Sequence, residues 1–453
     1  MQRAINPATG ELIHEYPEHD ELELNERLAK AQEAFNSWRR FDFAERARHL
    51  SAVADRLREN TDRLARLITE EMGKPIAASE SEVDKCAWVC DFYAENAQRF
   101  LAPENVGTDA SKSFVRYDPL GPVLAIMPWN FPYWQFFRFA APALMAGNVA
   151  LLKHAGNVPG SALAIEAVFN EAGVPDGVMS TLLVSSERAK LLIGHPAVRA
   201  VTLTGSDRAG REVASEAGRC LKKAVLELGG SDPFIVLDDV DPAEAGKQAA
   251  KARTINSGQS CIAAKRFIVD NSIADRFEEE FVRAMEGLKV GDPMDRGTDV
   301  GPMAREDLLD SLDEQVRRTV EAGARLRTGG HRIDGKGWFY APTVLTGVEP
   351  GMAAFDEETF GPVAAVIRAK DPAHAVELAN RSQFGLGASV WTGDAARGED
   401  LAAEIESGNV FVNGIVKSDP RLPFGGVKSS GYGRELSEVG IREFVNIKTV
   451  WIK

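Results

Sequence analysis

Cys261 lies in Asn256-Ser-Gly-Gln-Ser-Cys-Ile-Ala-Ala-Lys265, polar and glycine-bearing on one side, small and apolar on the other. That setting is unusual for a structural cysteine, although an isolated cysteine is more often an inert small hydrophobe than a nucleophile. A free thiol with a pKa of about 8.5 is only a few per cent thiolate near neutrality, so a cysteine nucleophile needs activation. Glu227, in Glu227-Leu-Gly-Gly230, is the nearest plausible helper in sequence; between two leucines it could equally be a half-exposed strand residue. Asn130 sits in Pro128-Trp-Asn-Phe-Pro132, where two prolines and two aromatics would hold its amide rigidly. A rigid amide suits an oxyanion hole, and an asparagine there can also simply cap the following helix. Thr204-Gly205-Ser206-Asp-Arg-Ala-Gly210 reads as a strand-to-helix turn that could meet a phosphate or serve only packing.

Other chemistry has weaker support. Cys86 and Cys90 are four residues apart on a helical stretch, with no neighbouring histidine pair to complete a metal site, so they read as core. The seven histidines form no recognisable Cys–His or Ser–His arrangement, which disfavours a cysteine hydrolase.

The elements that must position these residues follow from periodicity. Glu21–Phe35, Ala44–Arg58, Thr61–Met72 and Ser79–Phe100 read as helices. Short apolar runs follow at Val123–Met127, Val149–Leu152, Thr181–Val184, Ala200–Leu203 and Ala224–Leu226, with helical stretches Ser161–Ala172 and Arg208–Ala217 between several of them. This alternation predicts a parallel sheet covered on both faces. A second alternation begins beyond Gly229-Gly230 with Phe234–Leu237 and Arg266–Val269 and runs through Val410–Asn413. The expected fold is therefore α/β, with two doubly wound parallel-sheet lobes. Ser111–Gly121 and Glu443–Ile452 read as extended pieces outside both cores, suited to assembly.

Composition sets the outer limits. A chain of 453 residues is too long for one compact core. A net charge of -14 disfavours nucleic acid but leaves room for a small anion at a local positive site. Four cysteines, no apolar signal core at the start, and prolines and polar residues breaking the apolar stretch Leu120–Leu152 make a cytoplasmic protein the expectation, not a membrane one.

Taken together and in order, Pro128-Trp-Asn-Phe-Pro132, Leu151-Leu-Lys153, Thr204-Gly-Ser206, Glu227-Leu-Gly-Gly230, Gly258-Gln-Ser-Cys261, Glu358-Thr-Phe-Gly-Pro362 and Pro423-Phe-Gly-Gly426 resemble the aldehyde dehydrogenase superfamily, from Asn6-Pro-Ala-Thr-Gly10 to the C-terminus. The resemblance implies Cys261 as nucleophile, Asn130 and the Cys261 N–H as oxyanion donors, and Glu227 as the base that activates water. It implies Lys153 and Glu358 at the cofactor riboses and Gly205-Ser206 at the pyrophosphate, with Trp129 and Phe360 shaping the pocket. NAD-preferring relatives often carry a glutamate three residues after the lysine; here that position is Gly156, so the resemblance implies use of NADP, with NAD as the other candidate cofactor. Trp129–Arg138, Lys153–Pro159 and Cys261–Arg266 resemble the succinate-semialdehyde dehydrogenase branch. In that branch Arg138 would pair with a distal substrate carboxylate, assisted by Ser418; the alternative is an ordinary salt bridge on a helix. Some relatives have a second cysteine two residues after the nucleophile, and Ala263 here excludes that redox switch. The expected division is a cofactor-binding unit 1–229, interrupted by an assembly segment at about 108–121, a catalytic unit 230–428 and an assembly strand and tail 429–453. A homodimer or homotetramer is expected. Glu227 disfavours a CoA-acylating relative, and the presence of Cys261 and Asn130 disfavours a non-catalytic protein on the same scaffold.

Overall fold

The computed structural model describes all 453 residues. The two expected α/β lobes are present. The first sheet holds five parallel strands in the spatial order Lys223–Glu227, Ala200–Thr204, Pro122–Met127, Val149–His154 and Met179–Thr181, with the short strand Gly431–Tyr432 antiparallel at the Lys223 edge. Strand order reverses beside Pro122–Met127, which pairs with the next strand on one side and with Ala200–Thr204 on the other. A crevice opens at the carboxyl ends of the strands at such a switch point. Pro128–Pro132 and Gly205-Ser206 both emerge there.

The second sheet has seven strands, ordered Arg325–Thr328, Thr343–Thr346, Val363–Ala369, Arg266–Asp270, Pro233–Val236, Gly387–Trp391 and Asn409–Val412, all parallel except the first. Its strands are apolar throughout because both faces are covered. Ile235 and Ile268 pack into one layer, while Phe234, Val236, Phe267 and Val269 pack into the other.

The four N-terminal helices span Glu21–Trp38, Phe43–Glu59, Thr61–Met72 and Ile76–Phe100. Among the elements not read from the sequence are the hairpin Gln2–Ile5 with Leu12–Tyr16, the helix Pro242–Arg253 and the fully buried helix Trp134–Met145. The last was hidden because it is apolar all round and carries Pro142, which obscures a helical period. Lys112–Pro119 and Val445–Ile452 pair antiparallel from Val445↔Pro119 to Ile452↔Lys112, apart from both large sheets. No helix is long and apolar enough to cross a membrane.

Candidate active site

Cys261 stands on the loop between helix Pro242–Arg253 and strand Arg266–Asp270. The approach to it is unusual backbone. Asn256, Ser257 and Gly258 all have positive φ, at 52°, 56° and 77°. Left-handed conformation in two consecutive non-glycine residues is costly and persists only where the surroundings impose it. At Gly258 a side chain is excluded outright, since a Cβ would lie 2.2 Å from the Gly361 carbonyl oxygen.

Buried cations impose that geometry. Arg253 donates to the carbonyls of Gly258 (2.7 Å), Ala264 (2.7 Å) and Gly361 (2.6 Å), tying the nucleophile loop to the Glu358 loop. Lys265 donates to Ser260 O and Cys261 O, both at 2.9 Å, and to Ala263 O at 3.1 Å. Its ammonium also stands 3.6 Å from Glu358 Oε1. Neither cation was picked out from the sequence. For Lys265 the signal available was its charge beside that of Arg266 at the entry to an otherwise apolar strand; Arg253 ends a helix carrying other basic residues and had no such mark.

Across the interface, Asn130 does not cap a helix. Its Nδ2 donates to Gln259 O at 3.0 Å and its Oδ1 accepts from Gln135 Nε2 at 3.2 Å. Asn256 Nδ2 donates to Asn130 O at 2.8 Å. The N-terminus of helix Trp134–Met145 is instead satisfied by Glu82 Oε1, which accepts from the Tyr133 and Trp134 N–H groups at 2.9 and 3.0 Å. Buried Lys74 neutralises Glu82 and lies 3.8 Å from the centre of the Phe131 ring. Thus the Pro128–Pro132 turn is braced from three directions. One Nδ2 proton of Asn130 remains free, and the Cys261 N–H makes no hydrogen bond within the protein. An oxyanion hole is built from two such free donors.

Two cavities meet at Cys261. The first, of about 230 Å³, is bordered by Trp129, Asn130, Gly205, Ser206, Glu358 and Phe360. Its floor is the start of helix Asp207–Arg219, whose N-cap is Ser206; the hydroxyl oxygen accepts from Ala209 N at 3.3 Å, and its proton remains free to donate. The Gly205 N–H donates to Glu227 O at 3.0 Å, and a Cβ at Gly205 would meet nothing nearer than Leu203, at 3.6 Å, which leaves open space beside the helix N-terminus. Trp129 and Phe360 form an edge-to-face pair at 5.7 Å. Glu358 Oε1 accepts from Gly230 N at 3.0 Å. Lys153, at the end of strand Val149–His154, is largely buried and makes no ion pair; burial lowers its pKa. The space beside Gly156 is open, with Gln2 the nearest neighbour a Cβ would meet, at 3.8 Å. Both Lys153 and Gly156 lie outside the cavity's border. These features fit a dinucleotide: a helix N-terminus and the Ser206 hydroxyl for phosphate, carboxylate and ammonium for riboses, and the aromatic rings of Trp129 and Phe360 beside them.

The second cavity, of about 210 Å³, is bordered by Lys85, Trp134, Arg138, Cys261, Lys417 and Ser418, among others. The expectations for Arg138 meet a mixed outcome. It borders the cavity, and it also forms a buried ion pair with Glu435, donating besides to Thr204 Oγ1 at 3.4 Å. Ser418 Oγ accepts from Lys85 Nζ at 2.8 Å and Trp134 Nε1 at 3.1 Å. Lys85 and Glu435 were not singled out from the sequence, since each sits among other charged residues of its segment.

Glu227 borders neither cavity. Its carboxylate is buried without a hydrogen-bond donor and lies where a Cβ on Gly425 would be 2.7 Å from Oε1. Desolvation pushes its pKa well up, with Arg138 opposing and Glu435 reinforcing the rise. Burial likewise pushes the Cys261 thiol up to about 12, against the pull of Arg138 and Lys265. The sulfur is a neutral thiol until something changes its surroundings. No group of acidic, histidine and cysteine side chains could hold a metal.

A partly buried cysteine where two cavities meet, with the unpaired N–H groups of Asn130 Nδ2 and Cys261 nearby, is an arrangement suited to a thiol-dependent dehydrogenase acting on a carbonyl. The profile of the Aldehyde dehydrogenase family matches residues 1–450, and the chain belongs to that family. It is 53% identical over 448 residues, 99% of each chain, to a probable succinate-semialdehyde dehydrogenase [NADP(+)] of Synechocystis sp.. It is 52% identical over 452 residues, 99% of this chain and 96% of the other, to a succinate-semialdehyde dehydrogenase [NADP(+)] of Mycobacterium avium. The crystal structure of succinic semialdehyde dehydrogenase from Streptococcus pyogenes in complex with NADP+ superimposes with a TM-score of 0.97 at 38% identity, covering 100% of both chains.

Proposed function

We propose that this aldehyde dehydrogenase oxidises succinate semialdehyde to succinate by hydrolysis of a thioester on Cys261, with NADP+ preferred. The observation that carries the reading is the meeting of the two cavities at Cys261, one lined with backbone donors and the other with cations.

In this reading Cys261 Sγ, as thiolate, adds to the aldehyde carbon. The carbonyl oxygen becomes an alkoxide held by Asn130 Nδ2 and the Cys261 N–H. A bound nicotinamide would supply the acceptor for the hydride that leaves the former aldehyde carbon as that alkoxide collapses. Cys261 is left acylated. Glu227 then rotates from its buried position to take a proton from water, which attacks the acyl carbon while the C–S bond breaks and the thiolate leaves. Trp129 and Phe360 exclude bulk water from the first cavity, and Glu358 and Lys153 hold the riboses. Open space at Gly156 beside the Lys153 ammonium favours a 2′-phosphate. Arg138 and Ser418 face the distal carboxylate.

Residues 1–229, 230–428 and 429–453 are proposed as cofactor-binding, catalytic and assembly units, with Gly431–Tyr432 of the last returning to the first sheet. A homodimer or homotetramer is proposed, assembled through the outer edge of Val445–Ile452, where Ile447, Trp451 and Ile452 are exposed; light scattering on the eluted protein would read the state directly. The function is tested by following reduced cofactor with succinate semialdehyde and either NADP+ or NAD+. A higher kcat/KM for the semialdehyde than for uncharged aldehydes, and for NADP+ than NAD+, is the expected result. A preference for uncharged aldehydes would overturn the substrate.

A further inference from the structure

We infer that Lys85 supplies a second cation, beside Arg138, for the distal carboxylate of the substrate, and that it is the one left without a carboxylate partner in the protein. The inference rests on the proposed substrate class and assigns the charge that selects it.

Three observations converge. First, the three cations bordering the substrate cavity are in different states. Arg138 is already in an ion pair with Glu435, both side chains being buried. Lys85 has no carboxylate within ion-pair distance; its contacts are Ser418 Oγ at 2.8 Å and the Trp134 ring, 4.1 Å from ammonium to centroid. Lys417 borders the same cavity but is exposed, so water already satisfies it.

Second, Ser418 Oγ accepts from both Lys85 Nζ and Trp134 Nε1. A hydroxyl oxygen has two acceptor sites and one proton. With both acceptor sites taken, the Ser418 O–H can only donate, and the cavity is where an acceptor would come from. An ammonium and a hydroxyl proton, fixed to each other, make a two-point receptor for an anion.

Third, holding Lys85 in this place is costly without a ligand. Desolvation and the Arg138 charge lower it to about 8, against the opposing pull of Cys86, Glu82 and Asp419. A carboxylate entering the cavity would restore what burial removes. Because the bound anion favours the protonated amine, the carboxylated substrate binds best below about pH 8 and progressively more weakly above it.

The test compares succinate semialdehyde with butanal, an uncharged aldehyde of the same chain length, in wild type, Lys85→Met and Lys85→Arg, with NADP+ binding and melting temperature confirming that each variant folds. In Lys85→Met, KM for the semialdehyde should rise about 10–100-fold, the range of one charge-assisted hydrogen bond, with kcat and the butanal parameters little changed. Lys85→Arg should recover most of the KM and remove its rise above pH 8, since a guanidinium stays charged. Equal losses for both aldehydes, or no loss for either, would overturn the role of Lys85. A wild type that does not prefer the semialdehyde would instead overturn the substrate class itself.

Discussion

The two cavities that meet at Cys261 are built by opposite means. The cofactor side presents mostly backbone: a helix N-terminus, Gly205 with open space before it, and a carboxylate held by the Gly230 N–H. The substrate side is an apolar wall of Phe131, Trp134, Ile262 and Phe424 into which a few polar side chains are set: Lys85, Arg138, Lys417 and the hydroxyl of Ser418. Backbone amides suit a ligand part common to every member of a fold, because their placement follows from the sheet. Side chains suit the part that differs between relatives, because one substitution changes them. The nucleophile loop between the cavities belongs to neither pattern, being held by buried cations on its own carbonyls.

That division orders the expected effects. Replacing Glu227 by Gln should lower kcat by about 10²–10⁴-fold for any aldehyde. It should also turn a smooth progress curve into a burst of one reduced cofactor per active site, because hydride transfer precedes hydrolysis; rapid mixing reads both. Asn130→Ala should cost about 10²–10³ in kcat, again independent of which aldehyde is used. If either loss depended on the substrate carboxylate, the two sides would not be separable. On the cofactor side alone, Gly156→Glu places a like charge near the 2′-phosphate and should raise KM for NADP+ about tenfold or more, with NAD+ little affected; initial rates with each cofactor decide it.

The smallest effect concerns the empty enzyme. Its thiol is held up to about 12, so thiolate is scarce at neutral pH and rises with pH. Alkylation of Cys261 by iodoacetamide should therefore accelerate by about tenfold per pH unit with no plateau below pH 10. A plateau near pH 7 would mean that the cations around the loop outweigh burial.

Much of this was legible in the sequence, for physical reasons that can be named. Parallel strands buried on both faces are continuous apolar runs, so Val123–Met127 and Ala200–Leu203 stood out, and their observed limits differ by a residue at one end. Cys261, Asn130, Gly205, Ser206, Glu358 and Phe360 were identifiable because motif order constrains them jointly, and the fold brings them to one cavity. Long-range partners were not legible. Nothing near Arg138 announces Glu435, and nothing near Ser418 announces Lys85; these pairs are 297 and 333 residues apart and meet only through the packing of helix Ile76–Phe100 and the C-terminal segment on helix Trp134–Met145. The inward pose of Glu227 was equally invisible, since it depends on space left by Gly425.

The most direct test of thioester chemistry on Cys261 is intact and peptide mass spectrometry of Glu227→Gln, quenched soon after mixing with succinate semialdehyde and NADP+. One succinyl group on the peptide carrying Cys261, absent without NADP+ and absent in Cys261→Ala, which should itself lose at least about 10⁴-fold in kcat, is the predicted result. An acyl group on another residue, or undiminished turnover in Cys261→Ala, would contradict it.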